Sequence, residues 1–367
     1  MYVYQRKGWP EFTWDTRPFA DVLTRVRHLQ GRMLGRMEAM GFPLSAEASL
    51  QTITQDVLKS TEIEGELLNK EQVRSSVARR LGIEIAGLVP ADRHVEGVVE
   101  MMLDATQNYT KPLTKTRLLS WQSSLFPTGT SGMFKINVGK WRDAKGGPMQ
   151  LVSGVMGREQ VHFEAPPAEV LNKEMMAFLK WFNQQDVKID PILKAAVAHL
   201  WFVTIHPFDD GNGRIARAIA DMQLARADGT SQRFYSMSAQ IRVERNNYYK
   251  LLEETQKGDL DITEWLHWFL SCLHRSLQAT DEMLAAILFK ARFWRTHATT
   301  LLNARQQLLL NKLLDGFTGK LTSSKWAKIA KCSQDTAGRD IQDLVTKQVL
   351  VKEPGGGRST SYTLAGL

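Results

Sequence analysis

The hydrophobic positions along this chain recur mainly at the spacing of α-helices. From Phe19 to Leu34 apolar residues return roughly every 3.6 residues, which predicts an amphipathic helix ending near Met40. A second helix is expected from a Ser45 N-cap to a stop at Gly65. The same periodicity predicts further helices at about 69–81, 92–108, 114–123, 168–183, 192–205, 213–226, 242–256, 262–275 and 278–298. The pattern therefore predicts a mainly α protein, with 192–205, apolar nearly all round, as a buried helix.

Two segments depart from this pattern. Residues 139–154 combine glycine, proline and lysine with a short apolar run, which predicts a β-hairpin around a glycine-rich turn. The C-terminal segment 300–367 predicts three helices followed by two short strands: helix 304–315, a short helix ending at Ala330, helix 334–347, and strands 349–352 and 361–364. That order is typical of a winged helix-turn-helix domain.

Length and charge refine this picture. The chain has 367 residues, which favours two or three structural units. It has 47 basic and 39 acidic residues, and residues 300–367 alone hold ten basic against five acidic ones, or +5 of the net +8. This excess favours an anionic partner for the C-terminal segment. Arg339 on helix 334–347, and Arg358 beside the turn predicted at 354–357, could meet DNA phosphates. Asp335, Asp340 and Asp343 on the same helix as Arg339 would repel DNA, so DNA binding and protein docking both stay open.

The sequence also indicates a compartment. Cys272 and Cys332 have no neighbouring ligands at zinc-site spacing, so we expect reduced thiols. The N-terminus lacks the order of a signal peptide, and every apolar run is far shorter than the roughly 18 residues of a membrane span. We therefore expect a soluble cytoplasmic protein without a membrane partner.

The most informative stretch runs from His206 to Arg217. Gly211 and Gly213 let backbone N–H groups approach an anion, and a helix that begins beside them adds unpaired amides and a favourable dipole. Arg214 and Arg217 are three residues apart, so both side chains leave one face of that helix.

Two further residues complete this constellation. Asp210 is a hard oxygen ligand of the kind that Mg²⁺ uses together with substrate phosphates. His206 is the residue here whose ordinary pKa suits a general base near neutral pH. A structural turn would explain any one of these residues alone, but together they predict a nucleotide phosphate site.

The run His206-Pro-Phe-Asp-Asp-Gly-Asn-Gly-Arg-Ile-Ala-Arg217 resembles the Fic family signature, His-x-Phe-x-Asp/Glu-Gly-Asn-Gly-Arg-x-x-Arg, at every specified position. The N-terminal stretch from Tyr4 to Trp14 is similar to the opening of a Fic subfamily with its own N-terminal domain. The hairpin expected at 139–154 lies where Fic proteins carry a flap, and a winged-helix tail is common in this subfamily.

The resemblance implies transfer of AMP from ATP to a Ser, Thr or Tyr hydroxyl of a target protein. It implies that His206 deprotonates the hydroxyl and that Asp210 holds Mg²⁺. Asn212, with the amides of Gly211 and Gly213, would stabilise the α-phosphate. In the same comparison, Arg214 would contact the β-phosphate and Arg217 the γ-phosphate.

A second motif lies at the end of the second predicted helix. Ser60 and Glu64 are four residues apart on one helical face, and alone they are also explained as a capped, solvated surface. Beside a Fic core they resemble the family's inhibitory motif, Ser/Thr-x-x-x-Glu-Gly/Asn. The resemblance implies that Glu64 pairs with Arg217 and prevents a productive pose of ATP. In some relatives the same glutamate helps to remove AMP, and the sequence leaves that open.

The resemblance extends to the substrate-binding surfaces. In the flap, Met149, Gln150 and Leu151 are expected beside the target segment, which would pair with an edge at Gln150–Gly154. Tyr248 and Tyr249 resemble the segment that lines the nucleobase and ribose, and neighbouring helical positions let only one of them face the nucleotide.

The sequence thus predicts three domains: 1–110 with an inhibitory helix at about 45–65, a Fic core at 111–298, and a winged helix at 300–367. The favoured function is a self-inhibited, ATP- and Mg²⁺-dependent protein adenylyltransferase, and the resemblance also suggests a homodimer. The alternatives are a DNA-binding regulator whose core senses nucleotide, an enzyme that removes AMP, and a transferase of another phosphate-linked group.

Overall fold

The computed structural model describes residues 1–39, 42–85, 87–154, 160–184, 188–314, 316–317, 319–354 and 360–365, without the side chains at 39, 42, 43 and 283. The chain divides into two compact units, Met1–Asp281 and Glu282–Leu367. The first unit holds both the predicted N-terminal domain and most of the predicted core, so the three-domain division stays a prediction.

The first unit is mainly helical, as the periodicity predicts. Its helices are α1 Ala20–Ala39, α2 Phe42–Ile63, α3 Lys70–Leu81, α4 Arg93–Gln107, α5 Lys115–Leu125, α6 Leu171–Asn183, α7 Pro191–Ile205, α8 Asn212–Asp228, α9 Met237–Val243, α10 Arg245–Lys257 and the start of α11 Thr263–Thr296. Its strands are β1 Thr130–Ser131, β2 Phe134–Lys135, β3 Gln150–Ser153 and β4 Gln160–Glu164. Within the described residues, none of the helices combines the length and hydrophobicity of a membrane span.

Helix α7 forms the centre of this unit and packs against α8. Asp190 caps it by accepting a hydrogen bond from the Ile192 backbone N–H at 2.8 Å, and every residue from Ile192 to Ile205 is buried. The predicted burial of this segment is therefore confirmed. A central buried helix makes a rigid support for the loop that follows it.

A buried charged cluster joins α2, α8 and the segment after α8. The Arg233 guanidinium donates to Asp221 Oδ1 at 2.8 Å, and the Tyr235 hydroxyl donates to Asp228 Oδ2 at 2.7 Å. Burial raises the pKa of Asp221, and nearby Asp56 raises it further. These buried carboxyl groups therefore depend on the neighbouring arginine.

Two helix boundaries differ from the prediction. Helix α2 begins at Phe42, three residues before the expected Ser45 cap, and the proline at position 43 is compatible with a first helical turn. The two helices expected at 262–275 and 278–298 form the single helix α11. Its sequence contains no glycine or proline that would end the helix. Ser276, which lies between the two predicted helices, donates its hydroxyl to the Ser236 carbonyl.

The structure forms the predicted hairpin later in the chain than 139–154. Gly147 adopts a φ of +80° and Pro148 has no N–H to donate, so a 3₁₀ turn at Ala144–Gly146 occupies the position of the expected first strand. Strand β3 instead pairs with β4, antiparallel, with Leu151 opposite Phe163 and a register shift after Leu151. The alternating pattern of residues 160–164, which buries Phe163, is the sequence signal for the true partner strand.

The second unit follows its predicted order. It contains α12 Ala304–Leu314, α13 Ser323–Ala330, α14 Gln334–Thr346, β5 Leu350–Lys352 and β6 Tyr362–Leu364. Strands β5 and β6 are antiparallel, and a bridge joins Leu321 to Tyr362. Leu309, Trp326 and Leu344 are buried in its core. The predicted turn at 354–357 and Arg358 lie largely outside the described residues.

Candidate functional site

The loop between α7 and α8 begins at His206, which caps α7 in the left-handed conformation. Its φ and ψ are 51° and 59°, and its backbone N–H donates to the Phe202 carbonyl at 3.1 Å. A non-glycine residue in this region costs about 1 kcal/mol or more, so the surrounding contacts must hold it there. The backbone thus turns sharply where the sequence predicts a catalytic base.

The His206 ring is neutral and oriented. Burial lowers its pKa to about 4, with a smaller raising effect from the hydrogen bond to Val203 and a lowering effect from Arg142. Nδ1 lies 3.2 Å from the Val203 carbonyl oxygen. Because a carbonyl only accepts, we assign the proton to Nδ1, and this assignment leaves the Nε2 lone pair free to take a proton.

A buried arginine that the sequence analysis did not single out holds this turn. Arg142 is 5% exposed, and its Nε donates to the His206 carbonyl at 2.8 Å. Its Nη2 donates to the Pro166 carbonyl at 2.5 Å, and its backbone N–H donates to the Pro207 carbonyl at 2.9 Å. Arg142 therefore connects the base of the β3–β4 hairpin to the loop that begins at His206. No local signal marks it, since the residues around it indicate only a surface turn.

The middle of the loop is held by its own side chains. The Asn212 amide closes it, with Oδ1 accepting from the Phe208 N–H at 3.0 Å and Nδ2 donating to the Phe208 carbonyl at 2.8 Å. Phe208 is fully buried, with its ring centroid 4.9 Å from that of Trp141. The structure thus gives Asn212 a loop-shaping role, and its predicted contact with an α-phosphate stays a prediction.

Asp210 is the candidate metal ligand. Its Oδ1 accepts from the Gly211 N–H at 2.6 Å, and its Oδ2 accepts from the Ser131 hydroxyl. The described residues contain no cluster of three or more His, Cys, Asp or Glu that could hold a metal ion. A single carboxylate with a nearby hydroxyl fits Mg²⁺ that takes its other ligands from water and nucleotide phosphates.

Helix α8 begins directly after Gly211, whose φ of +87° suits glycine. Arg214 and Arg217 are 1% and 2% exposed. Arg214 Nε and Arg217 Nη1 are buried and have no hydrogen-bond partner among the described residues. Buried guanidinium donors without partners are unfavourable, and an anionic ligand would complete the bonding of this pair.

Arg217 also contacts the end of α2, where the resemblance implies its pair with Glu64; its contacts with Ser60 are an additional observation. Its Nε donates to Ser60 Oγ at 2.9 Å and its Nη2 to the Ser60 carbonyl at 2.8 Å. The same Nη2 lies 2.7 Å from Glu64 Oε1. The structure therefore brings Ser60, Glu64 and Arg217 together in one charge-assisted contact.

The two tyrosines of α10 have different environments. Tyr248 is buried and its hydroxyl lies 2.9 Å from His199 Nε2, so it belongs to the core beneath the site. The Tyr249 hydroxyl donates to the Ile63 carbonyl at 3.3 Å and lies 3.4 Å from Glu64 Oε2. Only Tyr249 of the two reaches the end of the predicted inhibitory helix.

The predicted target-binding residues lie at the start of β3. Gln150 is exposed and its side chain donates to Glu164 Oε2 at 2.8 Å, while Met149 and Leu151 are half-buried. The Met149 carbonyl accepts from the Ala165 N–H at 2.9 Å, which closes the base of the hairpin. Among the described residues β3 pairs only with β4, so its other edge is available for strand addition.

Comparison with known proteins agrees with this geometry. Residues 2–83 match a domain of unknown function (DUF4172), and residues 112–224 match the Fic/DOC family. The chain carries a Fic/DOC family domain. That Fic/DOC domain contains the hairpin, Arg142 and the whole loop from His206 to Arg217.

Curated relatives named protein adenylyltransferase Fic are similar over part of the chain. The Nematostella vectensis protein is 37% identical over 116 residues, which cover 31% of this chain and 25% of that protein. The Culex quinquefasciatus protein is 25% identical over 274 residues, which cover 70% of this chain and 50% of that protein. The aligned parts thus span between a quarter and a half of these relatives.

Solved structures show the same fold. A Fic family protein from Desulfovibrio desulfuricans G20 is 19% identical with a TM-score of 0.54, covering 97% of this chain and 98% of that chain. Residues 134–508 of Fic-1 from C. elegans are 19% identical with a TM-score of 0.50, covering 75% and 74%. At these identities the likeness concerns the fold alone.

Proposed function

We propose that this protein is an adenylyltransferase that moves AMP from ATP to a Ser, Thr or Tyr hydroxyl of a target protein. The observation that carries this proposal is the arrangement of two buried, incompletely bonded arginines beside a helix N-terminus and a neutral histidine with a free Nε2. A base next to an anion site suits the attack of a hydroxyl on a phosphate. The names of the curated relatives support the same reaction.

In this reaction the target hydroxyl oxygen forms a bond to the α-phosphorus of ATP, and the bond from that phosphorus to the bridging oxygen breaks. His206 Nε2 accepts the hydroxyl proton, and pyrophosphate leaves. The N-terminal amides of α8 stabilise the charge on the α-phosphate. Arg214 and Arg217 hold the β- and γ-phosphates, and Arg142 keeps the His206 backbone in place.

Asp210 would hold Mg²⁺, and the Ser131 hydroxyl that donates to it fixes the carboxylate. Bound Mg²⁺ neutralises phosphate charge. The exposed edge of β3 would align the target segment by strand addition, and Arg142 would keep that edge in register with the base.

The contact of Glu64 with Arg217 supports self-inhibition. In the structure Glu64 Oε1 occupies a donor of the arginine assigned to the γ-phosphate. An extra Cβ on Gly213 would lie 2.2 Å from the same oxygen, so the carboxylate also lies against the start of α8. ATP must displace Glu64 to bind with its γ-phosphate on Arg217.

The test uses the Glu64→Gly chain with α-labelled ATP in a host-cell lysate, followed by mass spectrometry of labelled proteins. We expect AMP on a hydroxyl side chain and its loss when His206→Ala is added. His206→Asn is a second control, since asparagine tolerates the left-handed backbone of position 206. Labelling that survives both histidine substitutions would contradict the proposed base, and no labelling by the Glu64→Gly chain would contradict the transfer.

A second candidate function concerns residues 300–367, which we propose to be a DNA-binding winged helix. Asp340, one of the acidic residues expected to repel DNA, is buried and paired with Arg305 at 2.8 Å. Asp340 does not line the groove of about 800 Å³ that Arg339, Gln334 and Gln342 line. Asp335, also expected to repel DNA, does line that groove and opposes the charge of Arg339 there. A salt-dependent shift in the electrophoretic mobility of duplex DNA, weakened by Arg339→Ala, would support this role. No mobility shift at low salt would contradict it.

The remaining alternatives, AMP removal and transfer of another phosphate-linked group, use the same residues and stay predictions. Release of AMP from a modified target, dependent on Glu64, would indicate removal. The homodimer also stays a prediction, which light scattering of the purified chain would test.

A further inference from the structure

Two carboxylates, rather than one, face the arginines of α8. Helix α2 ends with two hydrogen bonds of a Schellman cap, from Gly65 N–H to the Glu62 carbonyl at 3.1 Å and from Glu66 N–H to the Thr61 carbonyl at 3.3 Å. Gly65 takes the left-handed position with a φ of +88°. This cap fixes the directions of both residues that flank the glycine, Glu64 and Glu66.

Each carboxylate meets its own arginine. Glu64 Oε1 lies 2.7 Å from Arg217 Nη2, and Glu66 Oε2 lies 3.2 Å from Arg214 Nη1. The two arginines are three residues apart on α8, and the two glutamates lie on either side of one glycine. The spacing of the two glutamates around Gly65 therefore matches the spacing of the two arginines, with one glutamate for each arginine.

Glu66 is held from a second direction. His94 Nε2, in the first turn of α4, lies 3.4 Å from the same Oε2 of Glu66. The His94 ring is therefore a second neighbour of the Glu66 carboxylate beside Arg214. The Glu66 side chain is 40% exposed whereas Arg214 is 1% exposed. The contact thus joins a buried phosphate-binding residue to a partner that can move into solvent.

We propose that Glu66 is a specificity-determining residue of the nucleotide site, which competes with the β-phosphate for Arg214 as Glu64 competes with the γ-phosphate for Arg217. This inference rests on the proposed function, because that function assigns the two arginines to those phosphates. With both glutamates in place, the site disfavours every nucleotide that has a β-phosphate. The phosphates of such a nucleotide must displace one carboxylate for ADP and two for ATP.

The number of phosphates provides the test. Isothermal titration with MgCl₂ present measures the Kd values of AMP, ADP and ATP for the wild-type chain, Glu66→Gln, Glu64→Gln and the double variant. Glu66→Gln should lower the Kd values of ADP and ATP about three- to tenfold, a modest effect because Glu66 is partly exposed. It should leave the Kd of AMP unchanged. Glu64→Gln should lower the Kd of ATP but not that of ADP.

The matched control is Glu71→Gln, an exposed carboxylate in the first turn of α3. It should leave all three Kd values at the wild-type level. Glutamine keeps the shape of Glu66, and thermal melting of each variant shows that the fold is intact. An ADP Kd that Glu66→Gln does not change would overturn this inference while leaving the proposed function in place. Failure of the double variant to bind ATP would overturn both.

Discussion

The contact between Glu64 and Arg217 allows a quantitative prediction about self-inhibition. Glu64→Gly removes the carboxylate that lies 2.7 Å from Arg217 Nη2. Helix α2 ends at Ile63, so a glycine at position 64 lies outside the helix and costs it little. The Ser60 contacts with Arg217 stay in place. The substitution therefore removes the carboxylate from Arg217 but keeps the hydrogen bonds between Arg217 and Ser60.

The size of the effect follows from burial and charge. A hydrogen bond between charged groups contributes about 1.5–3 kcal/mol. Arg217 is 2% exposed but Glu64 is 29% exposed, which favours the lower half of that range. Since about 1.4 kcal/mol corresponds to a factor of ten, Glu64→Gly should raise AMP transfer at subsaturating ATP about 10- to 30-fold. Glu64→Gln should give a smaller rise, because its amide oxygen still accepts from Arg217.

The assay follows pyrophosphate release and the incorporation of α-labelled ATP into the purified chain and lysate proteins. Glu64→Asp is the matched variant that keeps the charge but withdraws it by one methylene, and it should lie between wild type and Glu64→Gln. The double variant Glu64→Gly/His206→Ala should be inactive. Equal labelling by wild type and Glu64→Gly would refute the reasoning.

Three further predictions concern the base, the start of α8 and the buried cluster. The proposed base is the neutral ring of His206, whose pKa burial lowers to about 4. The transfer rate should therefore hold down to about pH 5 and fall to half near pH 4 in a pH profile, and a midpoint near the ordinary histidine pKa of about 6.5 would contradict this. Gly213→Ala would place a Cβ 2.2 Å from Glu64 Oε1 and displace that carboxylate. Adding Glu64→Gln to Gly213→Ala should therefore change the ATP Kd little, and fully additive effects of the two substitutions on that Kd would contradict the contact. Arg233→Met leaves Asp221 buried without its partner and should lower the free energy of unfolding in urea by about 3–5 kcal/mol, and a loss below about 1 kcal/mol would show that the cluster contributes little.

The elements that the sequence predicts best are those whose signals are local. Helix α7 is apolar at nearly every position and Asp190 caps it, so both its extent and its burial follow from its own residues. Gly65 ends α2 because the left-handed conformation there suits glycine. The loop from His206 to Arg217 is likewise predictable, because twelve consecutive residues hold the base, the carboxylate and both arginines.

The features that the sequence does not reveal depend on contacts between distant segments. Arg142 reaches the His206 carbonyl 64 positions away, and nothing near Arg142 marks it as buried. The sequence does not reveal β4 as the partner of β3, because the glycine-rich turn at 146–147 is a stronger local signal than the alternation in β4. Glu66 looks like a surface residue until the cap of α2 brings it to Arg214.

If Glu64 inhibits as proposed, the burial of Arg214 and Arg217 explains how that inhibition can be reversed. A guanidinium that is 2% exposed cannot exchange its partner for bulk water without a large loss of bonding, so Arg217 disfavours a state in which neither glutamate nor phosphate is present. Withdrawal of Glu64 is therefore tied to the arrival of another anion. Because Glu64 and Glu66 are partly exposed, each of them regains water as it leaves. In the proposed mechanism, inhibition ends when phosphates replace the two carboxylates on arginines that stay in place, so its strength depends on how tightly Glu64 and Glu66 are held.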